Sequence, residues 1–123
     1  MLGAYRLVAA LTLVGVAVQV FLAGAGAFGA TSYDAHKTLG IVLVVAGGLG
    51  LVLAALSRRQ PARAVALELA LLVQLLFGHL GVDHPWFGAF HGLLAIAVAA
   101  LASLVARGVG IGHRGASTTE GSH

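Results

Sequence analysis

Four long apolar runs, separated by short polar connections, organise the chain. They cover approximately residues 4–23, 35–56, 62–82 and 86–106. Each run is long enough to cross the hydrocarbon core of a bilayer, which takes about 20 helical residues. Backbone N–H and C=O groups in lipid must be bonded within their own segment, so runs of this length predict helices. We therefore predict an all-α fold, a four-helix transmembrane bundle over residues 1–106.

The residues around these runs mark where the helices begin and where the bundle ends. Asp34 is placed to cap the second helix through its carboxylate. Pro61 and Pro85 stand just before or in the first turns of the third and fourth helices, where a missing N–H costs least. Residues 107–123 are rich in Gly, Ser and Thr without apolar periodicity, and they predict a disordered cytoplasmic tail.

The composition agrees with a lipid-exposed surface and excludes several classes of protein. Of the 123 residues, 59% are hydrophobic and only 9% are charged, too few to cover a soluble domain. The absence of Cys excludes disulfides, thiolate metal sites and thiol chemistry. The net charge of +3 is spread between the apolar runs and not along one face, so no nucleic-acid partner is predicted.

The basic residues predict the orientation of the bundle. One side of the predicted membrane carries Arg6, Arg58, Arg59, Arg63, Arg107 and Arg114, whereas the other carries only Lys37. The positive-inside rule then places both termini in the cytoplasm. The alternative is a cleaved signal peptide ending near Ala23–Ala25. Gln19 deep in the first run and the even number of helices favour retention of that helix.

Polar residues inside the apolar runs are few, and each is a functional hypothesis because it is costly in hydrocarbon. They are Gln19, His36, Glu68, Gln74, His79 and His91, with His84 in the turn before the fourth helix. The four histidines collect at the predicted outer end of the bundle. For the two Gln residues we predict interhelical hydrogen bonds, and for Glu68 a neutral or Gln-paired carboxyl group. No acid–base pair, nucleophile or phosphate loop is visible, so no catalytic residue is assigned and an enzyme is not favoured.

Two of the histidines stand at the head of stripes of small residues. Gly40, Gly47, Gly50 and Ala54 follow His36 at helical spacing, and Ala95, Ala99, Ala102 and Ala106 follow His91. Such stripes allow close helix packing and also leave room for a flat ligand. His36 and His91 lie on alternate helices, which can be diagonal in a bundle. This is the arrangement of axial haem ligands on facing helices, so we predict that these two residues bind haem b.

Two other interpretations remain open. His79, His84 and His91, with His36 nearby, could form an outward-facing zinc or copper site, since three imidazoles are a plausible ligand set. Alternatively, the small faces only pack helices, and the chain is a non-catalytic structural or accessory membrane subunit. An ordinary interfacial role is then sufficient for each histidine.

Three sequence stretches carry a resemblance. QVFLAG at Gln19–Gly24, HKTLG at His36–Gly40 and HPWFGAFHGLLAIA at His84–Ala97 resemble a family of small, uncharacterised four-helix bacterial membrane proteins. The resemblance covers the hydrophobic region and implies a multi-pass protein of the bacterial inner membrane. It brings no biochemical activity with it.

The layout is also similar, more distantly, to one four-helix half of haem A synthase. That enzyme has a haem-ligating His near the outer start of its second helix and another on its fourth, which implies haem ligation by His36 and His91. Its catalytic Glu, three residues before a ligand His, corresponds to Tyr33 here. The resemblance thus implies haem binding for electron transfer or haem handling, with a redox partner or membrane complex, and not oxygenase chemistry.

Overall fold

The computed structural model describes residues 2–58 and 61–107 and confirms the all-α four-helix prediction. The helices are α1 Leu2–Ala27, α2 Asp34–Ser57, α3 Pro61–Leu80 and α4 Pro85–Arg107. Their bounds differ from the predicted ones by up to four residues, most at the end of α1. The tail from residue 108 onward, with His113, Arg114 and His123, and also Arg59, lies outside the described residues.

The helix starts follow the sequence signals in part. Pro61 and Pro85 are the first residues of α3 and α4, as predicted. The prediction for Asp34 is wrong, because Asp34 is itself the first residue of α2 and the preceding Tyr33 makes no side-chain cap. The Asp34 carboxylate instead accepts a hydrogen bond from Ser32 Oγ at 2.9 Å. The Asp34 carboxylate is thus bonded to Ser32 in this short turn and does not form the predicted cap.

The helices form a closed ring in which sequence neighbours are also spatial neighbours. α1 and α3 each pack against both α2 and α4. The pairs α1/α3 and α2/α4 are therefore diagonal, and the short connections make adjacent helices antiparallel. Residues 28–33 connect α1 to α2, and residues 81–84 connect α3 to α4. Both connections lie at one end of the bundle, called here the loop end. The opposite end carries Arg6, Arg58, Arg63 and Arg107 and is called the arginine end.

The bundle is apolar both inside and outside. Its central core consists of Val16, Leu43, Leu67, Leu71, Val98 and Ala102, and a second cluster of Tyr5, Ala9, Ala54, Ala64 and Val105 lies nearer the arginine end. Large side chains also point outward: Phe21 is 72% exposed and Ile96 68%. All four helices are long and apolar enough to cross a membrane. The fold is therefore that of a small multi-pass membrane protein in contact with lipid.

The small-residue stripes are only partly as predicted. Gly47, Gly50 and Ala54 are buried on α2, in agreement with the sequence pattern. On α4 the buried residues are Val98, Ala102 and Val105, so the inner face is bulkier than the predicted alanine stripe. The buried face of α4 is rotated toward these valines because α4 packs against α1 and α3 together.

The second hairpin, α3–α4, repeats the first, α1–α2, with an offset of 55 residues. Every buried residue of the first hairpin whose counterpart is described has a buried counterpart 55 positions later. The pairs are Ala9/Ala64, Thr12/Leu67, Val16/Leu71, Leu43/Val98, Gly47/Ala102 and Gly50/Val105. Because α1 and α3 run in the same direction, the two hairpins are related by an approximate two-fold axis parallel to the helices.

Candidate ligand-binding cleft

A cleft of about 960 Å³ opens at the loop end of the bundle, between all four helices. Its volume lies near the upper end of the range for small-molecule sites, about 300–1,000 Å³. Val16, Leu43, Leu71 and Val98, members of the central core, form its apolar floor. The approximate two-fold axis runs through this cleft, because equivalent residues of both hairpins line it.

His36 and His91 face one another inside the cleft. Both imidazoles are half-buried, and their ring centroids are 5.8 Å apart with planes at 78°. His36 lies in the first turn of α2 and His91 in the second turn of α4. The structure therefore brings together, across the diagonal of the bundle, the two histidines that the sequence singled out as a pair.

Each imidazole is fixed by the other helix of its own hairpin. His36 Nδ1 lies 3.1 Å from the main-chain oxygen of Gln19, and His91 Nδ1 lies 2.8 Å from that of Gln74. A carbonyl oxygen can only accept, so Nδ1–H is the donor in both bonds. In the neutral ring the lone pair then belongs to Nε2. An Nδ1–H···O=C bond of this kind is also what orients histidines that ligate metals.

The side chains of Gln19 and Gln74 do not act as predicted. The bonds between helices come from their main-chain carbonyls, not from their amides. Both Oε1 atoms are buried and have no hydrogen-bond partner within residues 2–58 and 61–107. The Gln19 amide packs against Gly40, where an added Cβ would lie 2.9 Å from Nε2. The cleft thus contains two equivalent amide oxygens that the described residues leave unpaired.

This Gln–His pairing is a signal that sequence reasoning missed. Gln74 follows Gln19 by 55 residues, and His91 follows His36 by the same interval. Among the aligned positions of the four helices, Gln and His are the only polar residues that both hairpins share. A comparison of the two halves at a fixed offset would have found the pair.

Glycines allow the backbone to approach closely around His91. A Cβ at Gly78 would lie 3.0 Å from both Cε1 and Nδ1 of the His91 ring. At the end of α3, a Cβ at Gly81 would lie 2.7 Å from the Cα of Gly88. The end of α3 and the start of α4 therefore meet through glycine, and Gly78 leaves the space that the His91 ring occupies.

The other two histidines occupy different surroundings. His79 is exposed and lines the cleft, whereas His84 is exposed in the turn before α4, with its ring 5.9 Å from that of Phe87. The described part of the chain contains no group of three His, Asp or Glu residues that could hold a metal ion. The predicted three-imidazole set of His79, His84 and His91 is not assembled.

Glu68 lies outside the cleft, beneath its floor. Its carboxylate oxygen Oε2 is buried against Gly47 of α2 and, among the described residues, has no hydrogen-bond partner. A Cβ at Gly47 would overlap this oxygen. The predicted pairing of Glu68 with a Gln side chain is therefore not formed, because both glutamines lie at the level of the cleft, toward the loop end.

No family model, curated protein or solved structure matches this chain. The interpretation of the cleft therefore depends on its own geometry: two imidazoles held by main-chain carbonyls, two unpaired amides and an apolar floor.

Proposed function

We propose that this protein binds haem b in the cleft, with His36 and His91 as axial ligands, and serves in electron transfer or haem handling. It would do so in the bacterial inner membrane with both termini in the cytoplasm. The observation that carries the proposal is the pair of imidazoles, each fixed through Nδ1 and facing its counterpart across the two-fold axis.

The separation of the rings supports this assignment. Two imidazoles on one metal have ligating nitrogens about 4 Å apart, since each bond is about 2 Å long, and their ring centres are then roughly 6 Å apart. The observed 5.8 Å is close to this value.

The surroundings of the imidazoles also fit a large flat ligand. The cleft is lined mainly by apolar side chains and by glycines such as Gly40, Gly78 and Gly92. A bound haem supplies one-electron chemistry. The protein's own contribution is to orient the two rings through Gln19 and Gln74, to exclude water with the apolar floor, and to separate the site from the arginine end. Electron transfer would further require a redox partner.

An absorption spectrum of the detergent-purified full-length protein from haem-supplied cells tests the proposal. We expect a Soret band and, after dithionite reduction, sharp α and β bands. His36→Ala and His91→Ala should each lose this six-coordinate spectrum. His84→Ala is the matched control, because His84 also lies at the loop end but does not line the cleft. A featureless spectrum of the unaltered protein would refute haem binding.

The two other interpretations give different outcomes in the same material. For an accessory subunit, His36→Phe and His91→Leu would leave expression and assembly intact, and no pigment would be found in the unaltered protein. For a metal site, zinc or copper would be stoichiometric and would be released on acidification, because protonated imidazole does not bind metal. Neither has a specific observation in its favour comparable to the two Gln–His pairs.

A further inference from the structure

The two-fold symmetry of the cleft is broken at several positions, and at two of them, near its mouth, a basic side chain is present on one side only. Lys37 on α2 corresponds to Gly92 on α4, and His79 on α3 corresponds to Gly24 on α1. Lys37, His79 and Gly92 all line the cleft. Because α2 packs against α3, both hydrogen-bond donors belong to the α2–α3 side, and the equivalent α4–α1 side has glycine at both places.

Lys37 carries a charge that the described part of the chain does not pair. Among residues 2–58 and 61–107, Lys37 has no ion-pair partner and is the only Lys or Arg at the loop end. The acidic residues of that end, Asp34 and Asp83, are exposed and do not line the cleft. In addition, α2 and α4 both begin at this end, and the positive ends of helix dipoles favour an anion there.

We infer that Lys37 and His79 bind the carboxylate groups on one edge of the ligand and thereby orient it with that edge toward the α2–α3 side of the mouth. The inference rests on the proposed function, because the two propionates of haem b are such an edge. The deeper amides of Gln19 and Gln74 are uncharged and lie against the apolar floor, where a carboxylate would be costly. The mouth is therefore the place for the acidic edge.

A comparison of two probes tests this orientation. The full-length protein from haem-starved cells, in detergent, is titrated with haemin and with haemin dimethyl ester, which lacks the two negative charges. For Lys37→Gln we expect haemin to bind about tenfold more weakly, as for the loss of a charged hydrogen bond, and the ester to bind as before. His79→Leu should show the same selectivity with a smaller effect.

Two further variants control for charge and for fold. Arg6→Gln removes a positive charge from the arginine end and should affect neither probe. Gly92→Lys, added to Lys37→Gln, moves the cation to the symmetric position, where an added Cβ meets no atom within 4 Å. We expect this double variant to recover haemin affinity, because the ligand can turn about the two-fold axis.

The outcomes separate the inference from the proposed function. If neither probe produces a shifted Soret band with the unaltered protein, the haem proposal itself fails. If both probes bind and Lys37→Gln weakens neither, or weakens both equally, haem binding stands and the role of Lys37 is refuted. Selective loss of haemin affinity, with the ester unaffected, supports the inference.

Discussion

The His36 and His91 rings meet at 5.8 Å although they belong to α2 and α4, which are diagonal in the bundle and share no backbone contact among the described residues. Neither ring is held by the helix that it faces. Each is held by a main-chain oxygen of its own hairpin, Gln19 for His36 and Gln74 for His91. The pair is thus set by two independent anchors, and a change to one should leave the other in place.

Replacing one imidazole by a thioether should therefore change the ligand field without abolishing binding. For His36→Met or His91→Met we expect a reduction potential higher than that of the unaltered protein, because Met/His ligation raises the potential of haem. Spectroelectrochemical titration measures the shift. Equal potentials in the unaltered protein and both variants would contradict axial ligation by these residues.

Filling the glycine surface beside His91 should displace its ring. In Gly78→Val the new side chain overlaps the His91 imidazole, and we expect haem affinity to fall about tenfold, as for an overpacked site. Gly92→Ala is the control, because its Cβ enters open space in the same cleft. Haem titration of both variants measures the difference, and equal affinities would show that Gly78 does not position His91.

The close contact between Gly47 and Glu68 predicts a local effect on stability. Gly47→Ala should destabilise the bundle by about 1–3 kcal/mol, since the methyl group overlaps the Glu68 carboxylate and Leu71. At the neighbouring Gly48 an added Cβ is 3.8 Å from Glu68, so Gly48→Ala should be nearly neutral. Thermal unfolding in detergent compares them. Adding Glu68→Ala to Gly47→Ala should recover part of the loss, and additive effects would contradict the contact.

The two buried amide oxygens without a partner predict that the haem-free protein becomes more stable when the glutamines are replaced. Gln19→Leu and Gln74→Leu remove buried acceptors that lack a partner among the described residues, so each should stabilise the haem-free protein by about 1 kcal/mol. The symmetry predicts similar effects for the two. Thermal unfolding of haem-free protein is the measurement. A loss of stability in both variants would mean that these amides already have partners in the haem-free state.

The absence of Cys allows the orientation to be tested with single cysteines. In intact cells, Ser32→Cys at the loop end should react with a membrane-impermeant maleimide, whereas Ala62→Cys at the arginine end should react only after lysis. Both positions are exposed in the structure. The reverse pattern would place both termini outside and contradict the orientation that the Arg residues predict.

The sequence predicted the helices well because each apolar run must form its backbone hydrogen bonds within itself in lipid. Details that depend on neighbouring helices were less predictable. The buried face of α4 includes Val98 and Val105, which follow His91 at helical spacing just as the predicted alanines do. Spacing alone therefore fits both faces, and the contacts of α4 with α1 and α3 decide between them. The cap at Asp34 was wrong because Ser32, a residue of the turn, competes for the carboxylate.

The candidate site was predictable to a similar degree. The position of each residue along its helix was enough to predict that His36 and His91 lie at the same level of the bundle. It was not enough to predict their partners, because the bonds come from main-chain oxygens, which every residue possesses. For the same reason the glutamines were assigned the wrong role: their side chains suggested interhelical bonds that their carbonyls make instead. His79 and His84 share the level of the pair, but they face different surroundings.

The repeated hairpin has a consequence for how such a site can arise. Two identical hairpins related by a two-fold axis would form a homodimer with one ligand at the subunit boundary. A homodimer cannot place Lys at one position and Gly at its equivalent, since both subunits come from one gene. A duplicated and fused gene can encode different residues at the two equivalent positions. Joining the hairpins in a single chain is what allows Lys37 to differ from Gly92, so a substitution on one side of the cleft need not be repeated on the other.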